Sequence, residues 1–374
     1  MDIIPRKDFG TCFTSQSDNV FSPYATKLQE KSRLQLVSCN PVTNLTSGLS
    51  CNNKEDVKCA YGCIEERKYL KILNYNAEMT SSKTSVYEME SKIQSTNWIR
   101  DNNGNYPELL MASGHDLCIY EMADSDLILR TTVFEGNKTN RVVYCEWNPW
   151  DPSYVASLHA NGECMLWSLQ RQSKIDFREE FEYNATAIVY NGGPQHKGMC
   201  FCDDTLQNCF LTYNNLKKCY LHDLRTPCSK YLGVFRDGII DMKTSLKNPY
   251  YVGFIFKRDV KVLDIRYPVV ECLKFNIFNV LDEVTSFAWS PNEEEMVIGT
   301  SFGECIVWNP EKNVYLRSSN EGIKCIMKIT YHPLQNRTLL TASKSSSSSP
   351  TVKRTCVACI NVFKITADCT DCNN

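Results

Sequence analysis

VTSFAWSPNEEEMVIGTSFGECIVWNPEK, residues 284–312, reads as three short strands separated by two turns. An apolar run ends at Trp289, and Ser290, Pro291 and Asn292 make the first turn. A second run covers Met296 to Thr300, Gly303 makes the second turn, and a third run closes on Trp308. A three-stranded meander buries one face at best, so it needs neighbours of its own kind. RVVYCEWNPWDPSYVASLHANGECMLWSL, residues 141–169, repeats the layout, with Trp147, Asn148 and Pro149 at the first turn, Gly162 at the second and Trp167 closing the third strand.

Working outward, weaker copies flank these two. Blade two carries Trp98, a polar DNNGNYP turn and the run Leu109 to Ala112; blade five has Thr244 in place of Trp and a turn on Asn248 and Pro249; blade seven has Tyr331, His332 and Pro333. Blade four is expected to start on Ala185 to Tyr190, with an insertion near 203–208. Blade one is expected to be split, with a strand over Tyr24 to Leu28, two more within 56–65 and 68–74, and an inserted loop over 40–54. Taking Trp98, Trp147, Tyr190, Thr244, Trp289 and Tyr331 as equivalent, the numbering gives steps of 49, 43, 54, 45 and 42 residues. Those steps straddle the roughly 40–45 residue period of WD repeats. Seven such units close a ring and remove exposed sheet edges. The chain therefore reads as all-β, a single seven-bladed WD-repeat β-propeller over 24–365, with a flexible lead-in over 1–23, a serine-rich loop over 344–354 and a tail over 366–374. The polar tetrad that rivets regular WD blades is largely missing: Asn161 and Phe302 stand where a turn Asp is usual.

Charge narrows the function classes. Among 374 residues, 41 basic and 43 acidic side chains give a net charge of −2, which leaves no global basic field for nucleic acid or anionic membrane. No apolar run approaches the roughly 18 residues of a membrane span, and the first residues form no signal-like core. The 20 cysteines are then expected to stay reduced and mostly buried.

The order of the quirks carries a family resemblance over roughly 56–365. Trp98, Tyr106, Pro107, Glu108, Leu109, Leu110, Ser113 and Gly114, then Trp147, Asn148, Asp151, Pro152 and Tyr154, then Asp223-Leu224-Arg225, Asn248-Pro249, Asp264-Ile265-Arg266 and Ala288-Trp289 all fall in that order. It resembles the WD-repeat scaffolds typified by the plant regulator Transparent Testa Glabra and its animal counterpart, also described as a cullin-4 associated factor. The resemblance implies a non-catalytic scaffold or adaptor in nucleus and cytoplasm. Its implied partners are a kinase of the dual-specificity tyrosine-regulated group, transcriptional regulators and, alternatively, the adaptor of a cullin-4 ubiquitin ligase. No cofactor is implied.

Four residues are the candidate partner-binding set: Asp223 and Arg225, and Asp264 and Arg266. Each pair ends a third strand in the Asp-x-Arg pattern that cullin-4 substrate receptors use. An Arg just past a strand end can set its planar guanidinium against a carboxylate or carbonyls of a partner; the blander reading is a turn Asp beside a solvated Arg. A zinc or redox alternative rests on Cys356-Val-Ala-Cys359 and Cys369-Thr-Asp-Cys372. Cys356 to Ile365 also reads as a strand, on which residues three apart point to opposite faces and cannot grip one ion. Catalytic motifs are absent from the sequence; His222 is expected to replace a closing Trp, and Glu293 to Glu295 to form a solvated turn. Ser349-Pro350, beside Lys353 and Arg354, would suit a proline-directed kinase.

Overall fold

Every repeat of the Trp289 and Trp308 pattern becomes a small antiparallel sheet in the computed structural model of the chain. Residues 26–27, 32–43, 45, 49–52, 57–99, 107–123, 126–173, 181–190, 196–202, 209–214, 216–223, 229–245, 247–267, 273–277, 281–292, 294–319, 323–334, 337–345 and 357–367 are described. They contain seven sheets and no helix. From first to fourth strand, blade one is Ser50–Cys51, Lys58–Ile64, Lys68–Tyr75 and Ser82–Glu88; blade two is Ser95–Trp98, Leu109–Ser113, Leu117–Ala123 and Asp126–Phe134. Blade three is Val142–Trp147, Tyr154–His159, Cys164–Ser173 and Phe181–Tyr190; blade four is His196–Phe201, Cys209–Asn214, Lys218–Asp223 and Ser229–Val234. Blade five is Asp241–Thr244, Tyr251–Ile255, Asp259–Asp264 and Leu273–Asn276; blade six is Val284–Trp289, Met296–Thr300, Glu304–Asn309 and Val314–Ser319. Blade seven is Ile323–Tyr331, Thr338–Ser345, Val357–Ala367 and, from the other end of the chain, Ser32–Thr43. The molecule is a seven-bladed β-propeller.

One cross-strand row recurs in all seven blades. It runs Cys51, Cys59, Leu73; Trp98, Leu110, Tyr120; Trp147, Val155, Trp167; Phe201, Phe210, His222; Thr244, Val252, Leu263; Trp289, Met296, Trp308; and Tyr331, Leu339, Phe363. The middle member is fully buried in every blade. This register places His222 where Trp167 and Trp308 stand, as the sequence predicts. It corrects blade four: its first strand ends at Phe201, and Tyr190 ends the outermost strand of blade three. Alternation over Ala185 to Tyr190 fits an outer strand as well as an inner one, which is why the sequence misplaces it. The expected insertion at 203–208 lies outside the described residues, but the run between its flanking strands is only one residue longer than 245–250 or 290–295. Blade two has the long turn, over 99–108.

The core is distributed over the seams, one apolar cluster to each pair of neighbouring blades. A blade alone buries one side of a thin sheet; its second face is covered only when the neighbour arrives. Hydrogen bonds across the first strands reinforce the seams. Trp147 Nε1 donates to Asn97 O at 3.1 Å and Trp289 Nε1 to Lys243 O at 2.9 Å. Thr244, which replaces Trp in blade five, keeps this link by donating from Oγ1 to Phe201 O at 2.7 Å.

Ring closure differs most from the sequence reading. Thr26–Lys27 does not start blade one; it pairs in parallel with Val314 and Tyr315 on the outer strand of blade six. The next segment, Ser32–Thr43, crosses to blade seven and pairs along Val357–Ala367. Residues 40–43 therefore belong to a strand and Ser50–Cys51 is the first strand of blade one, where an inserted loop was expected. The physical reason is an edge: without Ser32–Thr43 the third strand of blade seven would present an unpaired ladder, which is open to aggregation. Pro41 is tolerated because this strand lies outermost.

Remnants of polar riveting survive inside three blades. Trp167 Nε1 donates to Ser157 Oγ at 2.9 Å, and that hydroxyl lies 2.9 Å from His159 Nε2. Thr212 Oγ1 and His222 Nε2 are 2.7 Å apart, with the His222 ring stacked on Phe210. In blade seven Asn361 Nδ2 donates to Ser343 Oγ at 2.7 Å.

Candidate functional site

The ring has two faces. One, here the turn face, carries the turns from first to second and from third to fourth strands; the other, the link face, carries the second-to-third turns and the links between blades. In blades three, five, six and seven the turn face is ordered by the residue that follows the first strand. Asn148 Oδ1 accepts from the amide of Trp150, Ser245 Oγ from those of Lys247 and Asn248, Ser290 Oγ from Asn292 and His332 Nδ1 from Leu334. These are side-chain-closed turns of the kind Asn, Ser and their mimics favour.

In blade five this device builds the candidate site. Asn248 Oδ1 accepts from Tyr250 N, and Ile265 N donates to Tyr250 O at 3.0 Å, which draws the first turn against the end of the third strand. Asp264 ends that strand, and its Oδ1 takes Arg266 N at 2.9 Å and Arg266 Nε at 3.0 Å while Oδ2 takes Nη2 at 2.6 Å. The guanidinium carbon then lies 3.9 Å from the centre of the Tyr250 ring and 5.6 Å from that of Tyr267. The Arg266 hydrogen bond holds the Asp264 carboxyl below its usual range, and the same bond raises the guanidinium pKa. Arg266 is thus a planar group fixed at one edge by Asp264 and on one face by Tyr250, beside a Tyr267 that is 61 % exposed. Rigid Tyr and Arg side chains of this sort are enriched at interface centres. The turns of blade six add an acidic neighbour: Glu294 and Glu311 share a hydrogen bond that raises the Glu311 pKa, with Tyr251 close by.

Asp223 occupies the corresponding place in blade four, opposite Cys209 as Asp264 is opposite Tyr251. Asp223 and Asp264 therefore end the third strands of neighbouring blades on one face. Arg225 and Leu224 lie outside the described residues. Sequence reasoning found the Asp-x-Arg pairs but missed Tyr250, Tyr267 and the Glu294–Glu311 pair; the Asn248-Pro249 turn was the signal for Tyr250, since it fixes what the next residue meets.

The remaining candidates fall elsewhere. Cys356, Cys369 and Cys372 lie outside the described residues, as do Ser349, Pro350, Lys353 and Arg354. Cys359 is buried in the blade-seven sheet between Ser343 and Pro41. Among the described residues no cluster of His, Cys, Asp and Glu is arranged to hold a metal ion. Burial pushes the thiols of Cys145, Cys164, Cys219 and Cys305 up to about 12, away from the thiolate that reactivity requires. Glu295, expected in a solvated turn, is buried and accepts from Tyr331 OH at 3.4 Å across the seam to blade seven. The described residues include no helix long and apolar enough to cross a membrane.

No family model matches the chain, and no curated protein matches it either. What the geometry carries is the ring itself: a seven-bladed β-propeller with differently surfaced faces, which fits a protein-interaction scaffold of WD-repeat type.

Proposed function

We propose that this chain is a non-catalytic WD-repeat scaffold that bridges a protein kinase and regulatory partners in nucleus and cytoplasm. The observation that carries the reading is the Arg266 constellation. An arginine ordered by Asp264 and Tyr250 before any partner arrives loses little freedom on binding, and it stands on a rigid ring whose other face remains accessible. Two partners held on one ring raise each other's effective concentration without new contacts between them. By the resemblance stated above, the kinase would belong to the dual-specificity tyrosine-regulated group and the other partners would be transcriptional regulators.

A second reading, a cullin-4 ligase substrate receptor, is favoured by the matched positions of Asp223 and Asp264 on neighbouring blades. One experiment separates the two. Full-length tagged chain and its Arg225→Ala/Arg266→Ala variant are used for affinity capture from the native cell type at moderate salt, with quantitative mass spectrometry. Recovery of a kinase near stoichiometry supports the scaffold. Recovery of the cullin adaptor, lost in the double variant, supports the ligase reading instead, and recovery of neither overturns both.

A further inference from the structure

Exposed apolar side chains are unevenly placed on the link face. Over blades four to six it presents Leu216, Ile240, Leu281 and Phe302, at 56, 44, 77 and 50 % exposure. Over blades one to three none of its described large apolar side chains is exposed, and charges of both signs stand out instead, Glu65, Glu66, Glu90 and Glu135 among Arg67, Lys92, Lys138 and Arg141. Phe302 occupies the turn position where regular WD repeats carry an Asp. The following Gly303 has φ +83°, and a Cβ there would lie 2.2 Å from Ile323 O, so the turn is fixed and its aromatic tip points outward.

Hydrogen bonds tie the segments that carry these residues to one another along this side of the ring. Asp282, next to Leu281, accepts from Phe302 N at 3.1 Å and from Ser301 Oγ at 2.8 Å. Val284 N donates to Lys257 O, Ile240 N to Ile255 O, and Tyr213 OH to Ile240 O at 2.7 Å, while Phe235 N reaches Lys217 O beside Leu216. Linked apolar exposures of this kind mark interaction sites more often than chance surface.

The exposed charge around them is mostly basic. Lys217, Arg236, Arg258 and Lys324 are exposed on this face of blades four to seven; Lys257 is neutralised by Glu283 at 2.8 Å, and Asp237 is the one other exposed acid among the described residues of blades four to six on this face. Over blades one to three the exposed bases of this face are matched by exposed glutamates, so the excess is local to this side of the ring. We propose that the link face over blades four to six docks an acidic amphipathic segment of a partner protein, its apolar side chains on Leu281 and Phe302 and its carboxylates toward Arg258 and Lys217. Apolar contact supplies the affinity, and charge excludes basic competitors. The site does not depend on which partner the turn face holds.

The test uses the purified full chain and a fluorescein-labelled helical peptide of Glu with Leu at every third or fourth position. Fluorescence anisotropy should show binding about tenfold or more tighter than for the same peptide with Lys in place of Glu. Leu281→Ser/Phe302→Ser should weaken it about tenfold. Arg258→Glu should weaken it several-fold and flatten its salt dependence. Leu334→Ser, an exposed change on the turn face, should leave binding as it was. Equal binding of the Lys peptide, wild-type affinity in the Leu281→Ser/Phe302→Ser variant, or no binding to the wild type would overturn the proposal. So would tighter binding of an oligouridylate, or a self-association in sedimentation that Phe302→Ser abolishes, which would make a second copy the occupant. Affinity capture can fail while this peptide binds, so the two readings fail separately.

Discussion

To the apolar cluster that every seam holds, the seam between blades five and six adds an indole and the seam between blades one and two a carboxylate. In the first, Trp289 lies against Gly253, where a Cβ would come within 2.7 Å of Phe287 Cε2 and 3.2 Å of Trp289 Nε1. The indole nitrogen also donates to Lys243 O. In the second, Glu108 receives Asn52 Nδ2 at 2.9 Å and Lys58 Nζ at 2.6 Å, while Asn52 Oδ1 takes Lys58 N at 2.8 Å. Thr96 Oγ1 adds bonds from blade two to Ala60 O at 3.2 Å and with Ser50 Oγ at 3.0 Å. Apolar closure demands shape, down to a missing methyl on the facing strand. Polar closure demands that each buried donor find its acceptor, and in return it tolerates the two-residue first strand of blade one.

Single substitutions should separate these two kinds of closure. Trp289→Ala should have the largest effect, about 3–5 kcal/mol, because a 5 % exposed indole is removed from a close-packed seam and Lys243 O loses its donor. Glu108→Ala should cost less, about 2–3 kcal/mol. It removes the Glu108 acceptor of Asn52 Nδ2, but Lys58 is 19 % exposed and can turn its ammonium to water, unlike the partner of a fully buried pair. Glu108→Gln, which keeps an acceptor, should fall between the wild type and Glu108→Ala. Urea midpoints of the three variants give the order directly; a Glu108→Ala loss as large as that of Trp289→Ala would mean that the two seams are not held as described.

The same contrast explains what was legible in the sequence. Apolar closure writes itself as Trp before Ser-Pro, Asn-Pro or their relatives, so blades three, five, six and seven and the register of Trp98 could all be read in advance. Polar closure leaves residues that look like a loop, and 40–54 was read as one although it holds the end of an edge strand and the start of blade one. Nor does local pattern reveal that Ser32–Thr43 serves the last blade, because ring closure joins the two ends of the chain. At the candidate site, Asp264 and Arg266 were legible as a pair. Their attachment to Tyr250 required the folded turn to bring residues from two strands together.

A third seam, between blades six and seven, sharpens the comparison because it mixes both chemistries and adds a titratable group. Tyr331 packs there and donates to Glu295, and the next residue, His332, stands where Asn52 stands in blade one and Ser290 in blade six. Of these three turn-openers only the histidine can gain a proton. Its ring is fully buried, and burial brings its pKa down from 6.5 to about 4. The folded state therefore holds His332 neutral while the unfolded chain protonates it near 6.5. Between those values the unfolded state binds more protons, so stability from this residue is fully present above pH ~6.5 and is lost as pH falls toward ~4. A depression of this size amounts to on the order of 3 kcal/mol at the acid end, and protonation would also remove the lone pair with which Nδ1 accepts from Leu334 N. His332→Asn should keep the turn, since Asn148 closes the corresponding turn of blade three through Trp150 N at 3.0 Å, and should lose this share of the acid sensitivity. Near pH 8 the variant should unfold within about 1 kcal/mol of wild type. At pH 5 it should be the more stable of the two relative to its own pH 8 value. A residual slope is expected from His159, whose buried ring in blade three also titrates below its ordinary pKa. Parallel urea midpoints for the two proteins across pH 8, 6 and 5 would show that His332 is not the group that responds.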